Sequence, residues 1–392
     1  MKYLETGLFS TAASIYHSAE VPRKLVLIGG GHVHALLLLE LGRKPLAGVS
    51  ITLVSDMAQA PYTGMLPGYI SGAYSQAEIH IDLPRLCDFA RARFIPASAH
   101  RLDLKQRKVQ LAHSDSPLSA DLVSINVGSL PSREGVAGAD AYVIPAKPVS
   151  HLLAGWERVM ETAARNISPL RIVVVGGGAG GVELALAMQS QLRNKAKLTI
   201  IHGQPNLLPG HNSYVRHILL ELLRKRKLNL ITGKKVVKVT ANSVNLDDGQ
   251  DLAADFIFWA THAAPPAWLR ESGLDVTAEG FVLVKSTLQT LKYPWIFAAG
   301  DVAAVENQKL PKSGVFAIRM AQPLEHNLRA YLSGGLLDDY KPQRHSLSLI
   351  GTADGRAVAS YGCIGGRSVL FWKWKNWIDR RFMRQFDTLP MS

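Results

Sequence analysis

The sequence predicts an α/β fold built from two β-α-β units, each opened by a glycine-rich turn, with an α+β extension at the C-terminus. Three observations carry this. The apolar run Lys24-Leu-Val-Leu-Ile28 leads straight into Gly29-Gly-Gly31, then a leucine-rich helical stretch and the run Val49-Ser-Ile-Thr-Leu-Val54. Continuous apolar runs of this length suit buried parallel strands. The same order restarts at Arg171-Ile-Val-Val-Val175, followed by Gly176-Gly-Gly178-Ala-Gly-Gly181, a helix from Val182 to about Arg193, and the strand Lys197-Leu-Thr-Ile-Ile201. From Lys341 the pattern changes to two strand-like runs, Leu347-Ser-Leu-Ile350 and Val358-Ala-Ser-Tyr361, and an aromatic, basic helix.

The intervening pieces fit this plan. Lys108-Val-Gln-Leu-Ala-His113, and Val236 to Asp251 with its turn Asp247-Asp-Gly-Gln250, read as small antiparallel excursions. Ile144-Pro-Ala-Lys-Pro148 reads as the crossing between domains. The expected organisation is a tail over 1–23, a first domain in two parts over 24–147 and 276–335, a second domain over 148–275, and a C-terminal region over 336–392.

The bulk numbers bound the function. At 392 residues the chain has room for two or three domains, and 47% hydrophobic against 19% charged residues excludes a disordered chain. Cys87 and Cys363 form no CxxC pair, so neither a disulfide framework nor a metal site is expected. A reducing compartment, the cytoplasm, fits. Met1 to Lys24 has no apolar segment of a secretory signal, and no stretch reaches the roughly 18 apolar residues of a membrane span. The net charge of +13 favours anionic partners. With no nucleic-acid-binding signature beside it, the partners expected are phosphorylated cofactors or anionic lipid, not nucleic acid.

The second glycine cluster carries the clearer chemistry. Gly176 permits a tight turn, Gly178 lets a pyrophosphate approach the backbone, and Gly181 lets the helix pack on its strand. These are the marks of a Rossmann-like dinucleotide-binding domain. Where an NAD-selective domain places an acid, this chain has His202, which either meets a 2′-phosphate, with Arg193, Lys195 or Lys197 near it in sequence, or is a bystander. Glu183 is either a group at the nicotinamide end or a plain helix residue.

The first cluster keeps Gly29 and Gly31 but has His34 in place of the third small residue. Being N-terminal, it is the unit expected to hold a flavin. His32 and His34 are candidate flavin contacts, the alternative being histidines that only satisfy a buried hydrogen bond. Ser55 fills the usual acidic position after the second strand, and Asp56 follows. The run Pro294-Trp-Ile-Phe-Ala-Ala-Gly300-Asp301 ends in a carboxylate placed to accept from a ribityl hydroxyl, and Leu122-Val-Ser-Ile-Asn-Val-Gly128 is its expected partner strand. Lys312, ahead of an expected helix from Val315 to Leu332, is either a charge that stabilises a reduced flavin or a solvated lysine.

On these residues the chain resembles the pyridine nucleotide-disulfide oxidoreductase superfamily, in the branch holding type II NADH dehydrogenases, demethylphylloquinone reductase and sulfide:quinone reductases. Five stretches, Gly29 to His34, Tyr62 to Gly68, Pro311 to Ala317, Gly351 to Gly355 and Trp377 to Met383, also look like the flavoprotein module associated with selenide, water dikinase. The resemblance implies FAD in the first domain, NAD(P)H in the second, and a quinone-like acceptor. The alternative it raises is a flavin-bound accessory protein of selenium metabolism. Disulfide reduction is disfavoured, because no redox cysteine pair is present. NADPH is expected to serve at least as well as NADH. The oligomeric state stays open, a homo-oligomer included.

The C-terminal helix gives a last expectation. Phe371, Trp374, Ile378, Phe382 and Phe386 fall on one helical stripe, and Lys373, Arg380, Arg381 and Arg384 gather on another side. The stripe either attaches the protein to the inner face of a membrane, or to a partner, or packs on the protein's own core.

Overall fold

The computed structural model describes residues 22–343 and 345–389, so the expected tail over 1–23 lies almost wholly outside the described residues. The first sheet has five parallel strands in the order Ile296–Ala298, Leu122–Ile125, Arg23–Ile28, Val49–Ser55, Arg93–Pro96. Its central strand earns that place by composition, since Leu25, Val26, Leu27 and Ile28 are all buried. The strand Ile296–Ala298 returns from far along the chain to pair with Leu122–Ile125, as the Gly300-Asp301 motif led us to expect.

The second sheet repeats the plan in the order Ile144–Pro145, Phe256–Trp259, Leu170–Val175, Ala196–His202, Asn229–Thr232, again parallel throughout. Ile144–Pro145 already belongs to it, ahead of the expected boundary at residue 148. In each sheet the strand before the glycine loop has neighbours on both sides. Ligands of open α/β sheets bind at the carboxyl ends of strands at such a point.

Two antiparallel excursions decorate these domains. Lys108–Leu111 lies between Ala99–Asp103 and Leu118–Ser119. The stretch expected as a hairpin over 236–251 is three-stranded, with Ser243–Leu246 between Val236–Val239 and Asp251–Ala253. The C-terminal extension is a three-stranded antiparallel sheet, Ser348–Gly351, Ala357–Tyr361 and Ile364–Ser368, running directly into the helix Val369–Asp387.

Two helical expectations need correction. The single helix expected from Val315 to Leu332 is two, Gly314–Ile318 and Ala321–Ser333. Pro323 explains the break, because proline has no N–H to donate and is tolerated only in a first turn, so a new helix must start just before it. The first piece is a single turn, too short to add an appreciable helix dipole to the charge of Lys312. In the C-terminal helix, Phe382 and Phe386 face inward with Lys375, Asp379 and Met383, while Leu370, Trp374, Trp377 and Ile378 are exposed. The expected stripe is therefore divided: its C-terminal part joins the main hydrophobic core, which spans both sheets and this helix. Burying a phenylalanine of this kind contributes roughly 1.5–3 kcal/mol, enough to hold the helix on the body of the protein.

Candidate functional site

A cavity of about 460 Å³ opens at the carboxyl ends of the first sheet. Of the residues singled out in the sequence, Gly29, Gly31, His32, Ser55, Asp56, Gly128, Asp301 and Lys312 line it, and His34 and Gly300 do not. Asn126 and Lys147, which sequence reasoning passed over, also line it.

Asn126 organises the loop. Its Nδ2 donates to the Ala299 carbonyl at 2.7 Å, and its Oδ1 accepts from the His34 backbone N–H at 3.4 Å. A Cβ on Gly29 would lie 2.5 Å from the Asn126 carbonyl oxygen, one on Gly31 2.2 Å from Asn126 Oδ1, and one on Gly300 2.4 Å from Asn126 Nδ2. All three glycines are thus required by one asparagine. Gly29 also takes φ +94° and Gly300 φ +78°, which side-chain-bearing residues resist.

His34 is corrected as a flavin contact. Its Nδ1–H donates to the Gly29 carbonyl at 2.7 Å and its Nε2 accepts from Ser124 Oγ at 2.8 Å, so both nitrogens are used in the core. Burial lowers its pKa to about 4, leaving a neutral ring that ties helix to strand. His32 does reach the cavity wall. Its Nε2 donates to the Pro61 carbonyl at 3.2 Å, its ring lies edge-on to Tyr62, and burial lowers its pKa to about 4 as well.

The remaining wall is polar in a graded way. Ser55 Oγ donates to the Met57 carbonyl and accepts from the Met57 N–H, so it builds its own turn, while Asp56 accepts from Ser98 Oγ at 3.0 Å. Asp301 is held by Lys147 Nζ at 2.8 Å, with Ser129 Oγ at 3.4 Å. Lys312 donates to the Ala303 carbonyl and lies 4.2 Å from the centre of the Phe281 ring. Burial pulls its pKa down to about 8, against the pull of Asp301 and Glu279.

These residues fit FAD. The helix His32–Arg43 starts at Gly31 with no side-chain cap and no acid in its first turn, which leaves its first amides to an anion such as a pyrophosphate. The second loop has the same property at Gly178, which caps Ala179–Leu192 without a side chain and faces open space. Gly176 takes φ +130°, where a Cβ would meet the Ala260 carbonyl at 2.1 Å, and a Cβ on Gly181 would meet the Gly176 carbonyl at 2.0 Å. Close turn, open approach and tight packing fall on the three glycines as the motif requires.

His202 is placed otherwise than expected. The Gly177 N–H donates to its Nδ1 at 3.2 Å, so the ring supports the glycine loop, and burial lowers its pKa. A neutral ring cannot supply charge to a phosphate. Arg193, Lys195 and Lys197 are at the start of the strand Ala196–His202, and at about 3.3 Å per residue Lys197 lies roughly 16 Å from His202.

Glu183 is not an exposed helix residue. It is half-buried against the C-terminal extension, with Oε1 accepting from the Gly351 N–H at 2.5 Å. Lys375 donates to Asp379 at 2.9 Å and to the Gly64 carbonyl at 2.7 Å, and Tyr62 donates to Asp379 at 3.2 Å. Burial raises the pKa of Glu183 to about 7 despite the nearby Lys375 ammonium. Burial works against that ammonium too, yet Glu183 and Asp379 raise its pKa above the ordinary value, so the lysine stays charged. Tyr62 stacks on Phe382 at 4.5 Å, which links this cluster to His32 and the cavity.

Comparison with known proteins gives the family and the fold. The sequence model of the pyridine nucleotide-disulphide oxidoreductase family matches residues 13–321. The chain is 21% identical over 298 residues to a probable NADH dehydrogenase of Dictyostelium discoideum, covering 69% of this chain and 66% of that one. It is 27% identical over 188 residues to the type II NADH:quinone oxidoreductase of Haemophilus influenzae, covering 44% and 42%. In both cases the match spans under two thirds of the relative's length. A demethylphylloquinone reductase of Synechocystis is 23% identical, covering 86% of this chain and 87% of that one. In fold, the chain superposes on the sulfide:quinone oxidoreductase of Aquifex aeolicus with TM-score 0.77 and 21% identity, covering 93% and 91% of the two chains. For NDH2 from Plasmodium falciparum in complex with NADH the values are 0.75 and 17%, covering 93% and 97%. With two uncapped glycine loops on two parallel sheets and a family match over most of its length, the chain belongs to the pyridine nucleotide-disulphide oxidoreductase family.

Proposed function

We propose that the protein passes electrons from NAD(P)H through FAD to a quinone, as a type II NAD(P)H dehydrogenase does. The observation that carries this is the pair of glycine loops, each opening a helix whose first amides are left to a phosphate. Bound FAD supplies the hydride acceptor and the electron relay. The chain supplies position and electrostatics. Asp301 and Asn126 orient the cofactor, Lys312 sets positive charge on the cavity wall against a reduced ring, and Glu183 holds a proton near neutral pH beside Lys375 and Tyr62.

The acceptor is argued from two sides. Relatives named as quinone reductases match the chain, and a disulfide acceptor would need thiols the site lacks. Cys87 is buried, with its pKa pushed up to about 12 by that burial, and Cys363 is exposed in the turn after Ala357–Tyr361. The comparisons lend no support to an accessory role beside selenide, water dikinase.

Among the described residues no helix is long and apolar enough to cross a membrane. The outward face of Val369–Asp387 instead offers a surface contact, with Leu370 71% exposed, Trp377 54% and Trp374 45%, and Lys373, Arg381 and Arg384 exposed between them. Such a mixture suits the headgroup region of an anionic bilayer, where a quinone's tail resides.

Steady-state oxidation of NADPH and NADH with a soluble quinone tests the reading. Rapid multiple turnover supports it. Flavin that is reduced once and stays reduced overturns it in favour of a carrier or accessory role.

A further inference from the structure

We infer that Lys235 reads the 2′-phosphate of NADPH, so that this chain's choice of nucleotide rests on a residue of the neighbouring loop and not on the strand end where His202 stands. The inference rests on the second glycine loop being the nicotinamide nucleotide site. In such a unit the adenosine ribose lies over the end of the second strand, and the residue there meets the 2′ position. Here that strand is Ala196–His202, with Gly203 directly after it. His202 is turned under Gly177 and kept neutral, and Gly203 has no side chain, so neither an acid repels a phosphate nor a cation of this strand holds one.

The adjacent parallel strand, Asn229–Thr232, ends at the same edge and fills the gap. Its following loop is bonded to the ribose-side loop twice: the Gly233 N–H donates to the Gln204 carbonyl at 2.9 Å, and the Lys234 N–H donates to the His202 carbonyl at 3.4 Å. That pairing lays the stem of Lys235 on Gly203, its Cγ 3.4 Å from where a Gly203 Cβ would be. The Lys235 carbonyl is fixed by the Asp247 N–H at 2.9 Å. The two lysines then divide their roles. Lys234 is engaged with Asp248 at 2.9 Å, while Lys235 is exposed and makes no salt bridge among the described residues. A flexible ammonium anchored at its stem on Gly203, with Asp248 of the neighbouring turn taken up by Lys234, suits a phosphate monoester.

Two probes test this without depending on turnover. Adenosine 2′,5′-bisphosphate and 5′-AMP, titrated against the FAD-loaded protein, should differ at least tenfold in Kd for the wild type, about 1.4 kcal/mol. Lys235→Ala should remove most of that difference without moving the Kd for 5′-AMP, Lys235→Glu should reverse it, and Lys235→Arg should keep it. In steady state, Lys235→Ala should raise KM for NADPH and leave KM for NADH and kcat unchanged. Equal binding of the two probes by the wild type, or equal weakening of both in Lys235→Ala, would overturn the inference. Discrimination between the probes without any oxidation of NADPH would sink the proposed function and leave this assignment standing.

Discussion

Asn126 Nδ2 donates to the backbone carbonyl of Ala299 at 2.7 Å, and this bond closes the first nucleotide site by tying the loop after one strand to the end of its neighbour. The same side chain leaves room only for hydrogen at Gly31 and Gly300, and the Asn126 backbone carbonyl does the same at Gly29. Asn126→Ala leaves the Ala299 carbonyl and the His34 N–H without their partner in a buried setting, at about 1–3 kcal/mol per unsatisfied group. The variant should melt several degrees lower and purify with less FAD than wild type. Unchanged melting with full flavin would remove Asn126 from the role assigned to it.

Asp301 gives the second prediction. Its carboxylate lies on the cavity wall, held by Lys147 at 2.8 Å, and is placed to accept from a ribityl hydroxyl. Asp301→Ala removes that acceptor and leaves Lys147 as an unpaired cation in the pocket, so the protein should be purified nearly colourless. Lys147→Met tests the orienting part alone: flavin should remain bound but dissociate faster on dilution. Full FAD occupancy in Asp301→Ala would refute its role as a flavin ligand.

How much of this was legible in advance follows the range of the interactions. Both sheets, their strand order at the glycine loops and the return of Gly300-Asp301 to the first domain follow from local apolar runs and turn chemistry, and all are present. Asn126 is harder to read, because its importance comes from its contacts with Gly29, Gly31 and Gly300, all distant in sequence. An asparagine closing an otherwise apolar strand just before a glycine was the available signal. For His34 and His202 the sequence leaves a ligand contact and a merely structural place both open, because a motif position says nothing of side-chain direction, and both turn inward to hold the loops. The helix Val369–Asp387 keeps membrane, partner and core packing open in sequence for a related reason: the inward Lys375 and Asp379 look like surface charges until Glu183, Gly64 and Tyr62 are brought to them by the fold.

Glu183 makes stability depend on pH with a definite sign. Its folded-state pKa, near 7, lies above the ordinary carboxyl value of 4.5. Between those values the folded protein holds a proton that the unfolded chain has released, so wild-type stability falls as pH rises through this window. Glu183→Gln carries no such proton. The stability of the variant relative to wild type should therefore rise from pH 4.5 to pH 7 and level off above it. Urea unfolding at several pH values measures this, and a difference that does not change with pH would contradict the raised pKa. His34 acts in the opposite sense, since its folded pKa of about 4 is below the ordinary 6.5, and stability is lost as pH falls through that interval.

The outward face of the C-terminal helix carries the last prediction. Truncation is a poor test, because the inner face of Val369–Asp387 covers Tyr62 and Glu183 and supplies Phe382, Met383 and Phe386 to the core. Removing it would expose those residues and confuse unfolding with lost binding. Trp374 and Trp377 are instead exposed, with Arg381 5.1 Å over the Trp377 ring, so changing them leaves the core intact. Trp374→Ala with Trp377→Ala should keep the melting temperature and the NADPH oxidation rate with a soluble quinone. It should weaken co-sedimentation with vesicles containing anionic lipid, and more so in higher salt, where the contribution of Lys373, Arg381 and Arg384 is screened. Activity with a long-tailed quinone embedded in vesicles should fall in step. Equal sedimentation of variant and wild type, or none by either, would show that this face has another use.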